Sequence, residues 1–212
     1  VKPSHVKKRR FCSFSCRNKA VKQAKGKPKT FEHRLNLMKG IRATPSIKNE
    51  TPEWVWVYLA GLIDGDGSFG VDIFPSKRQK VGIVVRPYIY ITQAGFRAKY
   101  LEELINLFYC GKATVKKYHY ENSNWRDIYT IRFSQFVDVK MIAEKVSTFS
   151  ILKRNEWQIF LKILSMIEEG KHLTKEGVEE ISKLRDELVK HYKCRKRYKN
   201  SERIREILGM KE

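Results

Sequence analysis

The nine residues Leu59-Ala60-Gly61-Leu62-Ile63-Asp64-Gly65-Asp66-Gly67 constrain this chain more than any other stretch. An apolar segment runs into two carboxylates, and small residues interrupt it at Ala60, Gly61 and Gly65. Gly61 and Gly65 stand four apart, so they share one side of a helix and leave it almost bare, which lets another backbone come close. Each glycine costs a lone helix about 1 kcal/mol. The pattern therefore makes sense only if a partner helix packs on the bare side and offsets that cost. At Gly65-Asp66-Gly67 the run is expected to leave the helix through a left-handed turn with Asp66 at its tip. A carboxylate there is a hard oxygen donor of the kind that suits Mg²⁺.

The residues around this run predict an α+β fold. Thr51 is the expected N-cap, Pro52 suits the first helical position and Trp54 begins the apolar stripe. Two strand patterns follow, at Phe69 to Phe74 and Val81 to Thr92, joined by a basic hairpin tip over Pro75 to Lys80. Pro87 inside the second argues for an edge position or a bulge. A helix over Arg97 to Tyr109 places Leu101, Leu104, Ile105 and Phe108 on one face. A second hairpin is expected over 113–120 and 127–134, then helices over 136–148 and 153–169. The order gives a four-stranded antiparallel sheet with helices on one face. The opposite face draws on Asp72, Arg86, Tyr88, Tyr90, Thr92, Lys116, Tyr118, Tyr129 and Arg132, depending on register, a polar, aromatic and cationic set. Helices over 174–191 and 201–208 read as packing elements.

Charge points to the partner. The formal net charge is +21, and it is unevenly placed. Residues 1–50 carry 15 Lys and Arg against Glu32 and Glu50, and residues 190–212 carry nine against three acids. Residues 51–189 hold 20 basic and 18 acidic side chains, close to neutral. Two basic arms flanking a near-neutral body suit contact with phosphates. A membrane is the competing anion, but no apolar run reaches the length of a spanning helix and no apolar signal core opens the chain, so an intracellular, unsecreted protein is expected. Cys12, Cys16, Cys110 and Cys194 are too scattered for a disulfide framework. Cys12 and Cys16 resemble half of a zinc knuckle that His5 and His33 would have to complete. The spacing is unusual and no second pair follows, so zinc is not expected there.

At the nine-residue run the chain resembles the LAGLIDADG homing endonucleases, from whose signature it differs only by Gly65 in place of alanine. Ser68 and Phe69 follow as they usually do, and the element order to about residue 168 is similar to the family's core. The resemblance implies an αββαββα core over residues 51–170 whose sheet forms a DNA-binding saddle. A basic N-terminal extension (1–50) and a C-terminal helical extension (171–212) fall outside it. Single-copy members of the family pair as homodimers, so one signature here implies a homodimer. Leu59, Ala60, Gly61, Leu62, Asp64 and Gly65 would lie at its interface. Two copies of Asp66 would meet at the two-fold axis, with the Gly65 carbonyl as a further ligand for Mg²⁺, for which Mn²⁺ is expected to substitute. By the same resemblance Gln93 positions the nucleophilic water, Arg97 lies at the periphery of the active site and Lys153 contacts the scissile region. Asp64 is expected to hydrogen-bond structurally near the partner helix. On the saddle, Lys77, Arg78, Lys80, Arg86, Tyr88, Tyr90, Lys116 and Arg132 would meet the DNA. The implied function is site-specific cleavage of double-stranded DNA at a long pseudo-palindromic target, by a freestanding intron-encoded enzyme with no small-molecule substrate. The alternatives are an RNA maturase for intron splicing and a non-catalytic DNA-binding regulator. An unrelated basic ribosome-associated protein would leave the glycine seam unexplained.

Overall fold

The computed structural model of the chain describes residues 46–48, 50–94, 100–109, 114–118, 128–190 and 200–209, with side chains at 114–118 and 200 left aside. The chain divides into units Val1–Leu35 and Asn36–Glu212, and every described residue belongs to the second. Its elements are α1 (Glu53–Asp66), β1 (Gly67–Pro75), β2 (Ile83–Ala94), α2 (Tyr100–Phe108), β3 (Thr114–Tyr118), β4 (Ile128–Phe133), α3 (Phe136–Ser147) and α4 (Arg154–Glu168). A 3-10 turn (Lys171–Leu173), α5 (Lys175–Lys190) and α6 (Asn200–Leu208) follow. The strands form one antiparallel sheet in the order β1-β2-β4-β3. The α+β class, the antiparallel sheet and the succession of helices and strands are as the sequence patterns predict.

Register assigns the two faces of the sheet, because side chains alternate along every strand. Phe69 pairs with Ile89 and Ile89 with Phe133, while Ile91 pairs with Ile131, and all five are buried. This apolar face meets the helices. Phe69 stacks on Trp157 of α4 with ring centroids 3.7 Å apart and 15° between planes, and Phe160 tilts against it at 5.1 Å. Burying one such aromatic contributes about 1.5–3 kcal/mol, so this contact binds the strand after the signature to α4. The opposite face carries Ser68, Tyr90 and Arg132 in one row, Asp72 with Arg86 in another, and Thr92 with Thr130 in a third. Tyr129 does not belong to that face. It pairs with Gln93 and packs against the core, because one residue of register moves a side chain through the sheet.

Pro87 lies within β2, an internal strand, yet β4 ends at Phe133 opposite Ile89. Beyond that point no described strand pairs with that side of β2, and a residue without an N–H is tolerated there. Gly82, at φ 77, closes the β1–β2 loop, with Ser76 N donating to Gly82 O at 2.7 Å. The helix start also differs from expectation. Pro52 occupies the N-cap position, and the Thr51 hydroxyl donates instead to the Lys48 carbonyl at 2.7 Å.

The segment before α1 is part of the core. Ile47 is buried and bridges to Tyr109, while Ser46 N and Tyr109 Oη both donate to the buried Asp138 carboxylate, at 2.6 and 2.7 Å. At the other end, Ile181 and Leu188 of α5 join the main core. Val178 of α5 clusters with Ile83, Ile204 and Leu208, and Ile73, Val81 and Val85 pack against them. Arg185 Nε donates to the Val71 carbonyl of the edge strand β1 at 2.9 Å. Gly177 sits where a Cβ would stand 2.1 Å from the Lys171 carbonyl oxygen, so α5 can begin against the 3-10 turn only with glycine there. No helix among the described residues is long and apolar enough to cross a membrane.

Candidate active site

The carboxyl end of α1 sets the geometry of the site. The helix continues through Gly65 and Asp66 without a left-handed residue, contrary to the expected turn. Gly67 is extended (φ −93, ψ 163), so the chain passes directly from helix into β1. Glycine is needed at 67 for space, since a Cβ there would lie 2.6 Å from the Ile63 Cα. Asp66 is thereby left exposed at the helix end, with its carboxylate held against β2 by Gln93 Nε2, which donates to Asp66 Oδ2 at 2.7 Å. Gln93 can reach it because its register position lies on the helix-covered side, at the last turn of α1. Asp66, Thr92, Gln93, Ala94 and Ile128 line an open cleft of about 350 Å³.

Asp64 and Lys153 brace this end. The Asp64 carboxylate accepts Ser150 Oγ at 2.5 Å and the N–H groups of Ile151 and Leu152 at 2.8 and 3.0 Å. Burial pushes its carboxyl up, but the Ser150 hydroxyl, the Leu152 and Ile151 N–H groups and the nearby Lys153 ammonium outweigh it. They hold it below the ordinary carboxylate value of 3.8. Lys153 Nζ donates to the carbonyls of Ile63, at 2.5 Å, and Gly67, at 2.7 Å. It thus ties the last turn of α1 and the first residue of β1 to the start of α4, where Lys153 is the N-cap. Burial pulls this ammonium below the ordinary lysine value, against the attraction of Asp64, Glu156 and Asp66.

Among the described residues, one side of α1 has no partner. Val55, Trp56, Leu59, Ala60 and Ile63 are buried in the chain's own core, whereas Trp54, Val57 and Tyr58 are exposed by about half or more. No described residue lies within 4 Å of where a Cβ would stand on Gly61 or Gly65. The open stripe is therefore Trp54, Val57, Tyr58, Gly61 and Gly65. Leu59 and Ala60, expected at an interface between chains, point inward instead. Leu62 packs against the core, and Asp64 is engaged by its own chain. Periodicity could not separate these sides, because α1 is apolar almost all round. Ile151 and Leu152, whose N–H groups bind Asp64, are about three-quarters exposed beside the same helix end.

On the polar face of the sheet, Arg132 is the centre of a cluster. Its Nη2 donates to Asp72 Oδ2 at 2.6 Å and its Nη1 to Tyr90 Oη, and its Cζ lies 4.9 Å from the Tyr90 ring centroid and 5.3 Å from that of Tyr88. Tyr88 lies across Gly70, where a Cβ would stand 3.1 Å from the phenol oxygen. Burial and the Asp72 charge raise its pKa, with Arg185 and Arg132 opposing. Arg86 lies over Phe74 at 5.6 Å, and Thr92 and Thr130 share a hydrogen bond of 3.2 Å. Lys77, Arg78 and Lys80 are exposed on the β1–β2 loop. Lys116 occupies a β3 position opposite Thr130. Arg97, Cys12 and Cys16 lie outside the described residues.

The structure thus brings Asp66, Gln93 and Lys153 to one helix end, and adds Ser150, Ile151 and Leu152, which no local pattern marks. Asp66 and the carbonyls of the last turn of α1, Gly65 among them, are hard oxygen donors suited to a divalent cation. Among the described residues no three His, Cys, Asp or Glu side chains converge. The donor set accordingly fits part of such a site, to which this chain offers one carboxylate.

The family model described as LAGLIDADG endonuclease matches residues 59–155. No curated protein sequence matches the chain. Among solved structures, the homing endonuclease I-TnaI is similar with a TM-score of 0.56 at 28% identity, over 73% of this chain and 95% of that one. The homing endonuclease I-CvuI, in complex with its target in the presence of 2 mM Ca, gives 0.61 at 20% identity, over 74% and 94%. Meganuclease I-SmaMI, bound to uncleaveable DNA, gives 0.52 at 30% identity, over 62% of this chain and 43% of that one.

Proposed function

Because residues 59–155 belong to the LAGLIDADG endonuclease family, we propose that the protein is a DNA endonuclease working as a pair of identical chains, with divalent metal ions held between the two copies of Asp66. The observation that carries this reading is the position of Asp66. It is exposed at the end of a helix whose neighbouring side, Trp54, Val57, Tyr58, Gly61 and Gly65, is apolar and open. A second copy of α1 laid on that side removes these residues from water and brings two carboxylates to one axis. Ile151 and Leu152 extend the apolar surface to the same end. The chain matches nearly the whole length of I-TnaI but less than half of the I-SmaMI chain, which supports a unit that completes its site by pairing.

Each chain's residues have separate tasks. Asp66 and the Gly65 carbonyl would hold the cation, and Gln93, already bonded to Asp66, would orient a water in the cleft between the helix end and β2. Asp64 and Lys153 fix the last turn of α1 against the start of α4, so that the carboxylate stays aimed. The chemistry supplied by divalent ions at such a place is neutralisation of the scissile phosphate and a lowered pKa for bound water. The polar sheet face would lie along the major groove and the basic N-terminal residues along the phosphates.

The test is selection of cleaved sites from a randomised duplex library with Mg²⁺, using the full chain and its Asp66→Asn variant. A long, nearly palindromic target cut by the first and not the second is expected. Equal cleavage by both would refute the role of Asp66.

A further inference from the structure

We infer that Arg132 reads a guanine in the major groove of each half-site, and that Asp72 is the positioning residue that aims it. The inference rests on the sheet face being a DNA surface. Asp72 is the one acid among the described residues of that face, whose basic positions are Arg86, Lys116 and Arg132. On a surface meant for a polyanion a carboxylate opposes binding, and an ion pair with side chains 25% and 41% exposed stabilises a fold little. Asp72 therefore needs another reason to be there. Its oxygen holds Arg132 Nη2 at 2.6 Å, Tyr90 Oη holds Nη1, and the guanidinium lies over the rings of Tyr88 and Tyr90. Those two rings are themselves in contact, with centroids 4.8 Å apart.

An arginine so held has little rotamer freedom left to lose on binding. It also cannot swing to a phosphate without breaking two hydrogen bonds and leaving the rings. Among the described residues two of its five N–H groups are engaged, and the guanidinium is a planar fork of donors. Guanine is the base whose O6 and N7 present two adjacent acceptors in the major groove, which such a fork matches and a lysine does not. Neutralisation by Asp72 weakens the sequence-independent pull on phosphates while leaving these donors in place, so the pair favours base reading over backbone contact.

The test is the base profile of the full-length protein on a randomised duplex library, measured for the unaltered chain and for Arg132→Ala, Arg132→Lys and Asp72→Asn. The expected result is a guanine at one symmetry-related position in each half-site. Both Arg132 variants lose that preference by about tenfold or more, with the other positions unchanged. Asp72→Asn binds mixed-sequence DNA as well or better, yet discriminates less at the same position. The slope of log K against log[salt] stays the same for Arg132→Ala. A uniform loss of affinity with a slope shallower by about one would make Arg132 a phosphate contact and overturn the inference. An unaltered profile in Asp72→Asn would overturn the positioning role. Thermal unfolding identifies any variant that has lost its fold, and Arg132→Lys and Asp72→Asn retain the strand positions if Arg132→Ala does not. If the unaltered chain selects no duplex, or prefers RNA, the proposed function fails and the inference with it. A selected duplex that lacks the guanine overturns the inference alone.

Discussion

Gly61→Ala should move two properties of this protein in opposite directions. Within one chain, a Cβ on Gly61 meets nothing within 4 Å, and residue 61 lies inside α1. The added methyl then acts only through helix propensity, which favours alanine by about 1 kcal/mol. For a chain of this size that raises the unfolding temperature by about 2–4 °C. In the proposed pair, the methyl would appear on both copies along the bare stripe where the two helices would meet. Overpacking costs about 1–3 kcal/mol in a well-packed contact. A net loss near 2 kcal/mol per pair weakens the dissociation constant about 30-fold. Sedimentation equilibrium measures the second quantity, and thermal unfolding at a dilution where the chain is monomeric measures the first. Gly67→Ala is the internal control, because its Cβ would stand 2.6 Å from the Ile63 Cα and should destabilise the chain itself. A Gly61→Ala protein that melts lower as a monomer, or that pairs as tightly as before, would refute the assignment of this stripe to the second copy.

Asp66→Asn should abolish cleavage and leave DNA binding intact or tighter, since it removes a hard oxygen donor and a negative charge near phosphate; gel shift and cleavage assays on one target separate the two. Asp64 is held below the ordinary value of 3.8, so its contribution to stability is fully present above that pH and is lost as pH falls through the folded-state value. Urea melts between pH 2 and 6 should show a shallower acid limb for Asp64→Asn, and an identical limb would contradict the bracing role. Removing residues 1–45 should weaken binding to all duplexes and make the salt slope shallower without changing the preferred sequence, which binding titrations at several salt concentrations measure. Purified protein dialysed without chelator should contain less than about one zinc per chain by elemental analysis, because Cys12 and Cys16 are only two soft ligands and a structural site wants four.

Much of the fold was legible because its signals are local. Leu101, Leu104, Ile105 and Phe108 recur at helical spacing, and all four are buried. Asp66 was legible because the signature isolates it between glycines. The side of α1 that faces out was not, since a helix apolar all round carries no periodic clue, and Leu59 and Ala60 were placed on the wrong side for that reason. Tyr129 was misplaced because alternation leaves two registers open until a neighbouring strand chooses between them. The partners of Asp64 lie 86 to 88 residues away in sequence, two of them backbone N–H groups that every residue but proline possesses. The Arg132 cluster likewise joins three strands.

The contact between Arg185 and the Val71 carbonyl has a consequence for how copies of this chain can meet. β1 is an edge strand, and an edge strand offers a row of hydrogen-bonding groups on which another chain can extend the sheet. Val71 pairs across to a proline, so its own polar groups point toward the free edge, and a guanidinium from α5 occupies the carbonyl there. Continuous sheet growth through β1 is thereby obstructed in the middle of the strand. Sheet extension is open-ended and helix pairing about a two-fold axis is closed, so a guarded strand beside a bare glycine stripe would favour the closed pair proposed above over open-ended growth.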